Sequence, residues 1–577
     1  MSRSLIRILG LSLVGALSVA ALMLAAAGDS RLANAAMQGD MKSVRALLAQ
    51  KADVNGALGD GMTALHWAAY KDDFEMAQVL ISAGANAKAV TRIGSITPLS
   101  LAAKNGNAPF IDALLKAGAS ANEATSTGAT VLMAASLSGN AEAVKLLIAG
   151  GANVNAKENA NGQTALMFAA WENRAEVIRT LVQHGADMTV ATKVLDLNAE
   201  PRYDDDGNII APRGAGAAGY GNRGGAPDAP AAAGAAPAAP AAPAGAAPDA
   251  AAARGGRGGR GGDDGPGASS FMGGMTALLF ASRDGNLEAV QALVESGANV
   301  DQVAGGEKSS PIVIAIANGH FTVAKYLLDQ GANPNLVNVD GLTPLYAAVN
   351  MRYAPVAWAP NPIIDQEKVD SLVLINALLD RGADPNAKVK RKLWFSPTSH
   401  STGWVDNAGT TAFWRAAQST DVDVMKMLIA RGADPSLNSN LGVTPLMVAS
   451  GIGWIGNFNQ NAPDSWLAAV KYCIELGNDV NAIETSKGYT ALHGAASRGD
   501  NEVVKYLVEK GAKVDIVGKD KNSVADMAFG PSRFFLPRPE TVDILVKFGS
   551  PWQNNCRSDQ CVDGKFNGGV AGKKQNQ

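Results

Sequence analysis

The sequence predicts an all-α solenoid of about twelve helix–turn–helix units, interrupted once by a long disordered insertion. Three observations predict it. First, a threonine-led phrase recurs as TALHWAA from Thr63, TPLSLAA from Thr97, TVLMAAS from Thr130 and TALMFAA from Thr164. It returns from Thr276, Ser310, Thr343, Thr411, Thr444 and Thr490. Second, a Gly-Ala pair follows most of these at a constant offset, at Gly84, Gly118, Gly151, Gly185, Gly297, Gly331, Gly432 and Gly511. Third, the step between copies falls in the range of arrays whose units bury their apolar faces only against neighbours.

Each element follows from its residues. Thr or Ser before an apolar run is a helix N-cap, and Pro98, Pro344 and Pro445 stand at the first helical position, where a missing N–H costs nothing. Ala68-Ala69 and Ala169-Ala170 are small enough for neighbouring helices to approach closely. The second helix carries larger apolar residues at helical spacing, as in Val144, Leu147 and Ile148, or Val504, Leu507 and Val508. The glycine ends that helix in a left-handed conformation, and a short extended stretch such as Asn153-Val154-Asn155 leads into the next unit.

These phrases resemble the ankyrin repeat, whose T-P-L-H-x-A pattern opens a unit of about 33 residues. The resemblance covers roughly 440 residues in two blocks, 29–192 with about five units and 271–550 with about seven. It implies a non-catalytic scaffold for a protein partner and says little about activity, since a fold does not fix a function. It implies that His66 and His493, at the histidine of the pattern, tie adjacent repeats together. It also implies that the two residues after the Ala-Ala pair face the partner: Tyr70-Lys71, Lys104-Asn105, Leu137-Ser138, Trp171-Glu172, Arg283-Asp284 and Ser497-Arg498. Trp171 is the best single anchor there. Trp67 is expected in the core.

The N-terminus reads as a secretory signal over 1–27. Arg3 and Arg7 precede an apolar run from Ile8 to Leu24, and Ala25-Ala26-Ala27 offers a cleavage site. An uncleaved anchor is the rival, since the run is near the lower spanning limit. The expected location is periplasmic or secreted, with no stable membrane insertion after cleavage. A net charge of −3 suggests no nucleic-acid partner, and the protein is expected to be a monomer. Cys473 falls in a predicted second helix as core. Cys556 and Cys561, in the tail 551–577, suit a small disulfide loop in an oxidising compartment, with free thiols or a metal as alternatives.

Departures from the period show where this array differs from a generic one. The chain from Gly185 to Thr276 is far longer than the roughly 13-residue step found elsewhere. The extra chain, 193–270, is rich in Ala, Pro and Gly and reads as a disordered linker. Its RGGRGGRGG run resembles an RNA-binding segment, but neighbouring aspartates and export favour a solvated linker. Asp204-Asp205-Asp206-Gly207-Asn208 reads as a polar turn in preference to a calcium loop. The linker either separates two blocks or loops out of one continuous array, and continuity is favoured because a break exposes two apolar faces.

Shorter insertions fall near 350–368, 387–406, 451–464 and 531–539. Six of the nine tryptophans lie between 358 and 466: Trp358, Trp394, Trp404, Trp414, Trp454 and Trp466. Tryptophan is favoured at interface hot spots, and it equally packs a long loop onto its support. Trp358, Trp394, Trp404 and Trp454 join Tyr70, Trp171 and Glu172 as candidate partner-binding residues. The turn insertions (Tyr353, Trp358, Trp454, Phe458) are expected at one end of the helix pairs and the loop bearing Trp394, Phe395 and Trp404 at the other, so one compact site is not expected. An alternative is a small-molecule or glycan site in these loops, with Asn457, Asn459 and Gln460 beside the rings.

No catalytic motif, metal-binding pattern or cofactor fingerprint is found, and no catalytic, cofactor or metal residue is expected. Only His400, between Ser399 and Ser401, lies outside the repeat pattern, and adjacent loop residues do not make a triad.

Overall fold

A computed structural model describes residues 29–196, 202–203, 209–210 and most of 271–553; within that last span 356–361, 392, 394–404, 406, 455–459, 464 and 531–535 fall outside the described residues. Among the described residues twelve helix pairs follow in chain order. Repeats 1 to 4 are α1 (Arg31–Gln38) and α2 (Met41–Ala49), α3 (Ala64–Tyr70) and α4 (Phe74–Ser82), α5 (Pro98–Asn105) and α6 (Ala108–Lys116), and α7 (Val131–Ser138) and α8 (Ala141–Ala149). Repeats 5 to 8 are α9 (Ala165–Trp171) and α10 (Ala175–Gln183), α11 (Ala277–Arg283) and α12 (Leu287–Glu295), α13 (Pro311–Ala317) and α14 (Phe321–Asp329), and α15 (Pro344–Arg352) and α16 (Ser371–Asp380). Repeats 9 to 12 are α17 (Ala412–Gln418) and α18 (Val422–Ala430), α19 (Pro445–Ala449) and α20 (Trp466–Glu475), α21 (Ala491–Arg498) and α22 (Asn501–Glu509), and α23 (Val524–Ala528) and α24 (Pro539–Lys547).

The helix starts are set by side chains. Thr97 Oγ1 accepts from the Ser100 N–H at 3.1 Å, and Ser100 Oγ accepts from the Thr97 N–H at 3.0 Å, a reciprocal capping box. The second helices are capped too, at positions the sequence pattern did not single out. Asp73 accepts from Met76 N, Asn107 from Phe110 N and Asp500 from Val503 N. At the helix ends Gly84 sits at φ +87° with nothing near where a Cβ would stand, so backbone conformation and not space demands glycine.

Each first helix packs on the next first helix through buried alanines such as Ala68, Ala69, Ala102 and Ala103. A tie recurs at the third residue after the repeat threonine. His66 Nδ1 accepts the Thr63 N–H at 3.2 Å, so the proton sits on Nε2, which donates to Ile96 O at 3.1 Å in the next unit. In repeat 8 the same position is Tyr346, whose hydroxyl meets Thr410 Oγ1 at 3.1 Å. In repeat 9 it is Trp414, whose Nε1 donates to Val443 O at 2.9 Å. All three reach the residue just before the next repeat threonine. Trp414 is thus a buried tie within the repeat, not part of an inserted loop.

The long insertion does not break the stack. α9 packs on α11 and α10 on α12. At several other junctions an asparagine in the stretch after the helix-ending glycine bridges neighbours: Asn155 Nδ2 donates to Gly185 O at 2.9 Å and its Oδ1 accepts from Asp187 N at 2.8 Å. Between repeats 5 and 6 that position is Thr189, whose hydroxyl turns to Asp187 at 2.6 Å. Other bonds serve this junction. Asn286 Nδ2 donates to Ala170 O and Trp171 O at 3.0 and 2.6 Å, and the Ala289 N–H donates to Asn173 Oδ1 at 2.9 Å.

The insertion departs from the array as paired strands. β1 (Val194–Asp196) and β4 (Phe271–Gly273) run antiparallel, with Leu195 opposite Met272. Further in, β2 (Arg202–Tyr203) pairs with β3 (Ile209–Ile210). The expectation of disorder throughout 193–270 is corrected at these positions. Pairing satisfies backbone groups that leave the folded array side by side. Trypsin cleavage between Arg213 and Arg260 is therefore expected to leave two fragments that co-migrate on gel filtration and part only in denaturant. Fragments that separate in native buffer contradict a continuous stack.

Candidate functional site

The seventh residue after each repeat threonine lies at the end of the first helix, and its surroundings differ between the halves. In repeats 2 to 6 it is Tyr70, Lys104, Leu137, Trp171 and Arg283. Tyr70 is 61% exposed and Leu137 37%, while Trp171 and Arg283 are half-buried. One helical turn earlier stand Trp67, Leu101, Ala134 and Phe168, all half-buried, and then the buried Phe280. Together they form an apolar stripe with cationic margins, open to solvent across five first helices.

Two aromatic groups dominate the stripe. Tyr70 meets Trp67 edge-on with centroids 5.7 Å apart. Trp67 is half-buried on this face, packed against the edge of the core and not enclosed within it as expected. Trp171 stacks on Phe280 at 6.4 Å and 12° across the junction of repeats 5 and 6. The Arg283 guanidinium lies 5.0 Å from the Phe280 ring and is oriented by Asp284 at 2.8 Å. Glu172, next to Trp171, is exposed and faces Arg174 at 3.9 Å.

In repeats 8 to 11 the chain covers much of its own equivalent surface. At the same position Asn350 and Ser497 are 4% and 7% exposed, and Gly451 is buried. Leu393 and Val405 of the 387–406 loop are buried, and Val405 lies against Gly453 of the 451–464 insertion, 3.2 Å from where a Cβ would stand. The expectation that these two insertions lie at opposite ends is corrected. At about 3.3 Å per residue a loop of this length can run the length of a helix pair. Arg391 anchors it on Asp340 at 2.5 Å. Beneath it Arg415 is 2% exposed, with Nε on Asn350 Oδ1 and Nη2 on Tyr353 O, both at 2.7 Å. Burial pushes its guanidinium down to about 10. Burial likewise raises Asp421, although Arg352 at 2.7 Å opposes the shift.

The 350–368 insertion docks the other way, onto repeat 7. Glu367 Oε2 accepts from Thr322 N at 2.9 Å and Thr322 Oγ1 at 2.6 Å, capping α14 from outside, with His320 at 3.6 Å. Trp454 donates to Asn461 Oδ1 at 3.2 Å and meets Trp466 edge-on at 6.0 Å. The Arg498 guanidinium lies 3.4 Å from the Trp466 ring centroid and pairs with Asp500. Trp454 is thus half-buried in a packed cluster. Trp358, Trp394, Trp404, His400, Cys556 and Cys561 lie outside the described residues.

Profiles described as ankyrin repeats (3 copies) and ankyrin repeats (many copies) match residues 96–192, 278–359 and 413–520, and residues 32–81. The chain belongs to the ankyrin-repeat family. It is 28% identical to alpha-latrocrustotoxin-Lt1a of Latrodectus tredecimguttatus over 254 residues, 40% of this chain and 14% of the toxin. It is 30% identical to transient receptor potential cation channel subfamily A member 1 of Homo sapiens over 247 residues, 42% of this chain and 18% of the channel. A putative ankyrin repeat-containing protein of Treponema pallidum (strain Nichols) is 33% identical over 112 residues, 19% of this chain and 32% of that protein. The chain thus spans under a third of each of these relatives.

Ankyrin repeats are protein–protein interaction scaffolds, generally without catalysis of their own. In this ankyrin array Cys473 is fully buried, and burial pushes its thiol up. Among the described residues no group of three or more His, Cys, Asp or Glu is arranged to hold a metal ion, and no helix is long and apolar enough to cross a membrane. Sequence reasoning found the exposed Tyr70 and the half-buried Trp171 from their place after the Ala-Ala pair. It missed the ties at Tyr346 and Trp414, although both stand in the phase of the pattern histidine, which was the available signal.

Proposed function

We propose that this ankyrin protein is a non-catalytic binding scaffold that works outside the cytoplasm and holds a protein partner on the open face of repeats 2 to 6. The observation that carries the reading is the contrast in cover. Tyr70 at 61% exposure occupies a position whose counterparts in repeats 8, 10 and 11, Asn350, Gly451 and Ser497, are buried. Beyond its edge contact with Trp67 the Tyr70 ring stays in water, whereas rings of this kind anchor interfaces. The Trp171–Phe280–Arg283 stack adds a rigid, half-desolvated platform. The positive start, apolar run and small-residue site of the first 27 residues support export to a periplasm or the exterior.

The test is a crosslinking pull-down from envelope extract with three baits: the natural chain, a Tyr70→Ala, Trp171→Ala variant, and a variant with Trp358, Trp394, Trp404 and Trp454 changed to alanine. The first variant is expected to lose the partner at least tenfold while circular dichroism stays unchanged, and the second to keep it. Loss confined to the second variant would move the interface to the inserted loops and overturn this reading.

A further inference from the structure

The stretch between the glycine that ends one repeat and the threonine that opens the next is a finger, closed as a hairpin by antiparallel bridges such as Ala57–Thr63, Ala124–Thr130 and Val517–Ser523. The fingers are tied to one another near their tips. Each donates a backbone N–H to a carbonyl of the finger before it: Arg92 to Asp60 at 2.8 Å, Ser126 to Gly94 at 3.1 Å, Asn159 to Thr127 at 2.9 Å and Lys193 to Asn161 at 2.8 Å. The run passes the long insertion without a gap, since Gly305 N donates to Gly274 O at 2.9 Å, and it ends with Lys519 N on Lys487 O at 2.7 Å. The fingers thus form one rail along the array, with a step of one helix layer, about 8–10 Å.

Acids and bases are placed differently on this rail. The carboxylates turn inward. Glu158 accepts the N–H groups of Ala160, Asn161 and Gln163, and Glu484 those of Ser486, Lys487 and Tyr489, at 2.6 to 2.9 Å. Asp340 is buried against Arg391, Glu307 is half-buried, and Asp520 accepts from the Tyr489 hydroxyl and Asn522 Nδ2. Exposed aspartates such as Asp384, Asp434 and Asp479 sit at the finger bases, where each accepts a backbone N–H two residues on. Asp60 and Asp515 are exposed exceptions. The cations stay out. Arg92, Lys193, Lys308, Lys390, Lys519 and Lys521 are exposed, and none is paired with a carboxylate among the described residues. Lys193 and Lys519 lie along the rail, each with Nζ on a carbonyl of the preceding finger, Asn159 O and Thr485 O.

Apolar side chains stand out beside these cations. Ile93, next to Arg92, is 82% exposed, the most of any large apolar residue described. Leu195 and Met272, opposite each other beside Lys193, are exposed, as are Ile483 and Val517 on the last two fingers.

We propose that this rail docks the protein on a membrane surface rich in anionic phospholipid, with the finger cations on lipid phosphates and Ile93, Ile483 and Val517 between the headgroups. A nucleic acid supplies phosphates but offers Ile93 and Ile483 no apolar medium, whereas a bilayer supplies both. The net charge of −3 does not oppose docking, because at about 0.1 M salt screening confines each charge to about 10 Å and the membrane meets the fingertips first. Each Lys or Arg at such a surface strengthens binding about fivefold. Tyr70 and Trp171 stand at the far ends of their first helices from the fingers, so a membrane on the rail leaves the open face to a protein partner.

The experiment uses the chain from Gly28 onward, which holds the whole continuous stack, and measures co-sedimentation with vesicles of phosphatidylcholine alone or with about 30 mol% phosphatidylglycerol at about 0.1 M salt. Binding to the anionic vesicles is expected to be at least fivefold the tighter. An Arg92→Glu, Lys519→Glu, Lys521→Glu variant is expected to lose about 25-fold or more, and an Ile93→Ser, Ile483→Ser variant about fivefold. Lys42→Glu, Lys426→Glu, Lys505→Glu makes the same change in net charge on exposed second-helix positions and is expected to lose less than threefold. All these side chains are exposed or on the surface of the fingers, so circular dichroism should match the natural chain throughout. Equal loss in the two charge variants, equal binding to both vesicles, or no binding to either overturns the proposal. A single-stranded oligonucleotide bound more tightly than the anionic vesicles, with no loss in the isoleucine variant, marks a nucleic-acid surface and overturns it too.

Discussion

Trp414→Ala is expected to destabilise the array by about 5 kcal/mol, the largest effect of any single side chain considered. The ring is fully buried in α17. Truncating a buried tryptophan costs about 3–5 kcal/mol through lost transfer energy and a cavity. The Val443 carbonyl, which receives its Nε1 at 2.9 Å, loses its side-chain partner, adding about 1 kcal/mol or more. In a quasi-one-dimensional array that loss falls on one interface, between repeats 9 and 10. Urea unfolding followed by hydrogen exchange should show repeats 10 to 12 opening at lower urea while repeats 1 to 5 keep their protection. A uniform loss across the chain, or a loss under about 2 kcal/mol, contradicts the tie. Trp171→Ala, half-buried on the open face, should cost only about 1 kcal/mol by comparison.

Acid is expected to weaken the C-terminal repeats by roughly 3 kcal/mol between about pH 6.5 and about pH 4. Burial holds His493 down to about 4 from an ordinary 6.5, against the opposing pull of Asp520. Each tenfold change in proton affinity corresponds to about 1.4 kcal/mol. The unfolded chain takes up a proton below pH 6.5 while the folded chain resists until about 4, so stability is full above 6.5 and falls as pH falls. The geometry agrees. His493 Nδ1 accepts the Thr490 N–H at 3.1 Å, and protonation places two donors face to face. Burial shifts His66 in the same direction. His493→Gln keeps a capping residue that does not titrate. Its unfolding free energy should therefore change with pH by about 3 kcal/mol less than that of the natural chain. Equal pH sensitivity in the two contradicts this assignment.

The array was legible because its contacts recur at a fixed separation. A threonine cap, an alanine pair and a left-handed glycine each act within one unit or between adjacent ones, so a period in the sequence becomes a stack in space. The second-helix caps at Asp73, Asn107 and Asp500 obey the same rule and were readable in principle. The open face was legible at Tyr70 and Trp171 for the same reason. The cover over the second half was not. Arg391 reaches Asp340, Glu367 reaches Thr322 and Arg352 reaches Asp421 across separations that follow no period. Each depends on an inserted loop or an irregular repeat finding a groove that exists only once the repeats have stacked. A tryptophan in such a stretch reads the same whether it anchors a partner or pins a loop. Trp414 and Trp466 show the ambiguity, since both belong to helices and not to the insertions between them.

The β1–β4 neck sets how this chain tolerates change in length. The two strands leave and re-enter the stack about 5 Å apart, whatever lies between them. Once that crossing is made, doubling the intervening chain adds only about 0.6 kcal/mol of closure cost. The spacing of the helices on either side is therefore set at the neck, by the β1–β4 pairing, and not by the length of chain between its strands. Segments of quite different size and chemistry fit at this one position without disturbing the spacing of the surfaces beside it.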